Sequence, residues 1–227
     1  MKKIIALILA CLMLTMSFVA CDKGETETTT ESVENNQTEA PAGDTTVEET
    51  TEAVVELPYK SAIELLQIIF DKYNAAQATD DTKLGFVAGG NIYNFETVNQ
   101  TGPAAFVALA DTDYDENLGI PAAEASKIAS AASMFHQMNT NNFNCFTVQL
   151  NADADVDAFI TALKDNILAR QWICGAPEKL VIAKAPGNCV IALWGVVEFG
   201  GLVDPVAQTF ATSVEGATIV VEHNFAQ

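Results

Sequence analysis

Hydrophobic positions along the chain fall into three regimes. An apolar run interrupted only by Thr15 and Ser17 covers Ile4–Ala20, a nearly core-free tract covers residues 22–57, and periodic apolar spacing fills residues 58–227. The periodic part opens on a helix. Ser61-Ala62-Ile63-Glu64 forms a capping box, and Ile63, Leu66, Ile69, Phe70 and Tyr73 follow at helical spacing, with Leu65 and Ile68 broadening the stripe. The pattern fades at Ala78-Thr79-Asp80-Asp81. Short strands are expected at Gly85–Ala88 and Phe106–Leu109, separated by breaks at Gly89-Gly90 and Thr101-Gly102-Pro103. Pro121, at a favoured first position, predicts a second helix over 121–138, with Ile128, Ala132 and Phe135 on one face.

The last eighty residues read as strand, helix, strand, strand, helix, strand. Phe146, Val148 and Leu150 alternate in the first strand, 143–150. A helix over 154–172 carries Asp153, Asp155 and Asp157 at its start and Arg170 at its end, as the helix dipole favours, and it buries Val156, Ile160, Leu163 and Ile167. Leu180–Lys184 and Cys189–Trp194 flank Ala185-Pro186-Gly187-Asn188, a turn signature that makes them a hairpin. Asp204-Pro205 starts a helix through Val206, Phe210 and Val214, and Ala217–His223 is the last strand. This order predicts an α+β fold in which residues 143–224 form a ferredoxin-like split βαβ unit, βαββαβ with an antiparallel sheet and both helices on one face. Two further helices and short strands precede it.

Composition adds an address to this picture. Met1-Lys2-Lys3, the apolar run and Ala20 before Cys21 have the parts of a secretory signal. Ser17-Phe18-Val19-Ala20-Cys21 resembles the lipobox of bacterial lipoproteins, with Phe18 where that pattern usually has Leu. The resemblance implies that residues 1–20 are removed and that Cys21 carries lipid. Residues 21–57 then form a tether: residues 22–57 hold 11 acidic residues, one Lys and many Thr, too little apolar surface to offset the entropy of ordering. Residues 58–227 form a single domain, with 19 acidic and 8 basic residues, a net charge near −11. That charge argues against nucleic acid and against electrostatic attachment to anionic headgroups, leaving lipid on Cys21 as the membrane contact. The expected location is the extracellular face of the cell membrane.

No catalytic constellation is readable, and no cofactor is implied. Motifs such as HExxH, CxxC, GxSxG, the Walker loop and GxGxxG after a strand are missing from the sequence. Asp111, Asp113 and Asp115 have the spacing that opens a calcium loop, but Glu116 stands where the turn needs Gly and Ala122 where a bidentate Glu belongs. They are a weak metal candidate. Cys145, Cys174 and Cys189 are expected to be buried small hydrophobes, with Cys145 and Cys189 at opposite ends of the sheet. Asn91–Phe95 and Asn139–Asn144 mix amides with aromatics, as sugar and peptide sites do, which makes Tyr93, Asn94, Asn141 and Asn142 the candidate ligand-binding residues.

The segments Met134–Phe143, Gln171-Trp172-Ile173-Cys174-Gly175 and Leu180–Trp194 resemble those of uncharacterised lipoproteins of anaerobic Gram-positive gut bacteria, over the last two-thirds of the chain. The resemblance implies surface display and an α+β domain of unknown function behind an acidic tether. Three functions are consistent with the sequence: a displayed non-catalytic binding module, an accessory lipoprotein of a transporter or envelope complex, and an extracellular hydrolase. The hydrolase would need paired carboxylates in a deep pocket, or Cys174 beside His136.

Overall fold

The computed structural model describes residues 57–138, 142–173, 175–198 and 200–225. The signal segment 1–20, Cys21, the tether up to Glu56, Asn141 and Cys174 lie outside the described residues. Among the described residues, no helix is long and apolar enough to cross a membrane.

Helix α1 (Ala62–Ala76) starts where the capping box places it. Ser61 Oγ accepts from Glu64 N–H, and the Glu64 carboxylate reaches back to Lys60 N–H rather than to Ser61. Its first residue is stitched to the sheet: Ala62 N–H donates to Ser130 Oγ at 3.0 Å, and Thr147 Oγ1 donates to the Ala62 carbonyl at 2.7 Å. Short strands β1 (Val87–Ala88) and β2 (Ala104–Ala105) follow, then helix α2 (Thr112–Leu118). After these come β3 (Ile128–His136), β4 (Asn144–Leu150), helix α3 (Val156–Ala169), β5 (Lys179–Ala185), β6 (Cys189–Gly195), helix α4 (Val203–Ser213) and β7 (Thr218–Asn224).

The strands form one antiparallel sheet in the order β1-β3-β4-β6-β5-β7, with β2 also paired to β3. The α+β class is as expected. The ferredoxin-like order is not what forms. β4 and β5 both run antiparallel to β6, so β4-α3-β5 is a split βαβ unit of the expected kind. In the expected fold the second crossover returns across the sheet and lays its strand beside 143–150. Here β3 holds that edge of β4, with Ala131 opposite Val148 and Ser133 opposite Phe146. The last strand therefore continues outward and pairs with β5.

Helix placement follows from this. β6-α4-β7 is a second crossover, split by β5. Both crossovers advance in the same direction, but they leave from strands of opposite sense. Right-handed connections are strongly preferred, and two connections of one hand that start this way must pass over opposite faces. Accordingly Phe159, Ile160, Leu163 and Ile167 of α3 pack on Phe146, Val148, Leu180, Ile182, Val190 and Ala192. Val203, Val206, Ala207 and Phe210 of α4 join α1 on the other face, against Met134, Cys145, Val181, Ile191 and Leu193. β6 runs through the middle with all seven residues buried, which is why it reads as a continuous apolar run. Fully burying each of Phe159, Leu163 and Ile167 contributes about 1.5–3 kcal/mol.

Residues 121–138 are the second departure. Pro121 leads into a 3-10 turn over Ala122–Lys127, and the expected helix is strand β3. Ile128-Ala-Ser-Ala-Ala-Ser-Met-Phe-His136 is rich in Ala, the best helix former, but helical propensity amounts to only tenths of a kcal/mol per residue. Pairing along the whole of β4 outweighs it. The extended chain puts Ala132 and Met134 against α1 and turns Ala131, Ser133 and Phe135 the other way. Small residues suit a strand covered so closely: Ser133 Oγ bonds both the N–H and the carbonyl of Gly90, each at 2.9 Å. A Cβ on Gly89 would lie 2.3 Å from Ala104 N and from the Ser133 carbonyl, so only glycine fits there. The strand expected at Phe106–Leu109 is displaced to Ala104–Ala105.

Residue 57 approaches the domain at the β5–β6 turn. The Tyr59 hydroxyl donates to the Pro186 carbonyl at 2.8 Å, and Leu57 lies against Gly187. The docking of α1 has a direct check. Thr147→Val leaves the buried Ala62 carbonyl without its donor and is expected to lower stability by about 1–2 kcal/mol in urea unfolding. Thr212→Val, which removes an exposed hydroxyl bonded within α4, should change it by less than about 0.5 kcal/mol.

Candidate functional site

A cleft of about 440 Å³ opens on the α3 face, at the end of the sheet where β3 finishes and β4 begins. Its floor is a row set by strand register: Phe135 pairs with Asn144, and Asn144 with Trp194. One wall is the end of α2, Glu116 to Leu118. A second is the exit from α3, Arg170 and Trp172, and a third is the Gly90–Ile92 loop.

Both tryptophans of the chain line this cleft. Trp172 and Trp194 meet edge to face at 6.0 Å, with Phe146 against Trp194 at 6.0 Å and Phe225 against Trp172 at 6.2 Å. The Arg170 guanidinium carbon sits 5.3 Å from the Trp172 ring centre. Arg170 Nη2 also donates to the Glu116 carbonyl at 2.7 Å and Nη1 to the Asp115 carbonyl at 3.4 Å. Asn166 Nδ2 adds bonds to Asp115 Oδ1 and the Gly119 carbonyl. The last carbonyls of α2 are thus capped by side chains of α3, and Gly119, at φ 67°, supplies the left-handed residue that ends α2. Two cleft walls are fastened together by these bonds.

The third wall is held by a buried pair. Asn91, fully buried, donates through Nδ2 to Asp113 Oδ2 at 2.7 Å and to the Val107 carbonyl at 3.0 Å, while its Oδ1 accepts from Tyr93 N–H. Asp113 Oδ2 also accepts from Leu109 N–H at 2.7 Å. That backbone bond, with the Asn91 amide, holds the Asp113 carboxyl below the usual carboxylate range.

The polar lining has a consistent sense. Asn117 donates to the Asp113 carbonyl, Asn142 to Gly175, Asn144 to Asn117 and Gln137 to Gln100. Each of these four cleft amides spends an N–H on a backbone carbonyl, which fixes which end of the amide is which. Two buried atoms of the lining, Asn144 Oδ1 and Trp172 Nε1, have no hydrogen-bond partner.

The two amide–aromatic segments read from the sequence converge here in part. Asn142 lines the cleft, and Tyr93, half exposed, follows Ile92 on its rim. The Glu116 carboxylate beside the Tyr93 hydroxyl raises the phenol's pKa. Asn94 turns instead toward the Val107 carbonyl, 3.4 Å from its Nδ2, and is not part of the lining. Sequence reasoning missed Trp172, Trp194, Asn144, Arg170 and Glu116. The signal was a Trp directly after a helix end and a second Trp at a strand end, but only register shows that they meet.

The metal candidate does not assemble. Asp113 is committed to Leu109 and Asn91, Asp115 to Asn166, and Asp111 is exposed. Among the described residues, no group of three His, Cys, Asp or Glu side chains is placed to hold a metal. Cys145 and Cys189 are free and buried on the α1 and α4 face, and burial raises both thiol pKa values, that of Cys189 to about 11. Cys189 pairs with Gln149, four residues from Cys145, so about 13 Å of strand separates the thiols. His136 ends β3. Its Nδ1 lies 3.1 Å from Met138 N, and its ring lies 6.2 Å from that of Phe86. Glu116 is the one carboxylate among the described residues lining the cleft, so paired carboxylates are not brought together there.

No family profile, curated protein or solved structure matches the chain.

The Asn91–Asp113 pair predicts an acid-dependent wall. The folded carboxyl is depressed, so its stabilisation is complete above the unfolded value of about 3.9 and is lost as pH falls through the lower folded value. Asp113→Asn should flatten that part of the acid limb in pH-dependent melting. At neutral pH it should cost about 2–3 kcal/mol, because an amide in place of the carboxylate weakens two short charge-assisted bonds.

Proposed function

We propose that this chain is a lipid-anchored, non-catalytic binding module on the extracellular face of the cell membrane, and that the cleft between α2, α3 and the sheet end is its ligand site. The observation that carries the binding reading is that both tryptophans, Arg170, Glu116 and the amides of Asn117, Asn142 and Asn144 meet around one concave space. The lining mixes aromatic and aliphatic side chains with amides, His136 and the charged pair Glu116 and Arg170, and its volume of about 440 Å³ falls within the range of about 300–1,000 Å³ for small-molecule sites.

Anchoring rests on the signal-like segment ending at Cys21 and the acidic tract after it. The domain's geometry suits such an anchor. Leu57 and Tyr59 lie at the β5–β6 turn, whereas the cleft lies at the other end of the same strands. The seven residues of β6 put about 20 Å between them. A domain held from residue 57 would present the cleft away from its attachment.

A second reading, accessory subunit of a transporter or envelope complex, draws on the apolar side chains exposed among the described residues. Phe95 is 81% exposed and Ile173 94%, with Phe86 and Met138 also exposed. Side chains of this kind suit a protein partner. Co-purification of a membrane protein with the tagged chain, lost on Phe95→Ser with Ile173→Ser, would favour it.

The anchor is tested by mass spectrometry of the mature N-terminus, where acylated Cys21 is expected and an unmodified Met1 or Asp22 terminus sinks the idea. Cys21→Ser should move the protein out of the membrane fraction. The site is tested by intrinsic emission. Because Trp172 and Trp194 are the chain's only tryptophans, a bound ligand should change the fluorescence saturably. A panel of saccharides, amino acids, polyamines and short peptides that leaves it unchanged rules the cleft out.

A further inference from the structure

We infer that the open edge of β7 is a self-association surface, on which a second copy of this chain pairs antiparallel about a two-fold axis and extends the sheet. The inference is independent of the cleft and adds a partner to the reading above.

The two ends of the sheet are finished differently. At one end the outer side of β3 is covered by two strands of two residues each, β1 and β2. The Gly89–Asn99 bridge and the bonds of Ser133 Oγ to Gly90 close the same side. Short strands and covering loops are how natural sheets blunt an edge. At the other end β7 pairs with β5 over seven residues, and among the described residues no strand pairs its other side. Along an antiparallel strand the hydrogen-bonding residues alternate between its two sides, so roughly half of those in β7 are left for another strand.

The edge is also chemically open. Thr218-Ile-Val-Val-Glu-His-Asn224 contains neither lysine nor proline, the residues that usually deter edge pairing, and its first four residues are β-branched. Its one carboxylate, Glu222, is already engaged. Lys179 Nζ lies 2.9 Å from Glu222 Oε2 and 2.6 Å from Asp204 Oδ1. The one guarding device is a bulge at Val220, where pairing passes from Val221 opposite Ile182 to Ile219 opposite Ala183. Even there the exposed side chain is apolar, with Val220 40% exposed.

The same features select a second copy as the occupant. A bulge increases local twist, and a second copy brings the same bulge and so the same twist. A two-fold contact requires a self-complementary patch. With the axis at Val220, Ile219 stands opposite Val221 of the second copy and Thr218 opposite its Glu222. β-Branched side chains then meet across the axis, and no like charges face each other. The two Glu222 positions lie four residues apart along the strands, about 13 Å, beyond a Debye length at physiological salt. Antiparallel pairing sets the two β5–β6 turns about 20 Å apart along the strands. Residues 22–57 have a contour length of roughly 120 Å, ample for two copies anchored side by side.

The test uses the mature full chain with Cys21→Ser, which removes the lipid site, under reducing conditions. Sedimentation should show a monomer–dimer equilibrium without larger species. It should tighten as salt rises from about 20 to 500 mM, because each domain carries a net charge near −11. Hydrogen exchange in residues 217–225 should slow as protein concentration passes through the dissociation constant, while exchange in α3 stays unchanged. Val220→Lys should raise that constant at least about tenfold. Val197→Lys, at an equally exposed valine beyond the end of β6, should leave it unchanged. A chain that stays monomeric up to about 0.5 mM overturns the inference, and so does growth into larger assemblies. A dimer that Val220→Lys leaves intact, or that Val197→Lys weakens as much, overturns the placement on β7. If Val220→Lys folds poorly, exchange on the chain with β7 unaltered decides: a dimer without slowing in 217–225 overturns the placement.

Discussion

Pairing of β3 along the outer edge of β4 is the constraint from which the rest of the architecture follows. With that edge filled from Ile128 to Phe135, a strand arriving later cannot dock beside β4. The chain must step past β5 and lay β7 there. Because the second crossover then advances in the same direction as the first from a reversed strand, its helix is forced to the far face. The domain thereby becomes three layers, with α3 below the sheet and α1 with α4 above it. The same pairing carries Phe135 into register with Asn144 and Trp194, which is how a cleft floor comes to exist.

The cleft's walls are second-order products of that frame, and they are fixed by polar bonds rather than by packing alone. Arg170 and Asn166 clamp the end of α2, and Asn91 with Asp113 clamps the loop at Gly90. Hydrogen bonds to ionised groups are among the stronger ones available to a protein, so these walls are firmly set by the fold itself. Pre-setting is also visible in the amides, each of which is held by one N–H bonded to a backbone carbonyl.

Much of the domain was legible in the sequence where local chemistry and tertiary need agreed. Ser61 caps its helix as read, the Pro186-Gly187-Asn188 turn closes the hairpin as read, and α3 buries the stripe expected of it, although Asp155, read as charge within its first turn, is its N-cap. What failed was a stretch in which they disagree. Ala and Ser between Ile128 and Met134 carry no period that separates helix from strand, and the choice was made by a partner strand across the chain's own loop. The misplacement of β7 descends from that single misreading, since topology depended on whether the edge of β4 was free. The site was half legible for a related reason. Composition picked out Tyr93 and Asn142, but Trp172 and Trp194 lie 22 positions apart, and only the crossover between β4 and β5 brings them together. Asp111, Asp113 and Asp115 show the converse, a spacing that suggested coordination and instead serves to buttress loops.

The placement of Leu57 and Tyr59 at the β5–β6 turn has a mechanical corollary. If the domain is held at residue 57 and pulled by something seated between α2 and α3, the load runs lengthwise down the strands. Ladder bonds lie crosswise to that direction, so a row of them must give way together rather than one after another. Geometry of this kind resists tugging far better than a sheet peeled from its edge.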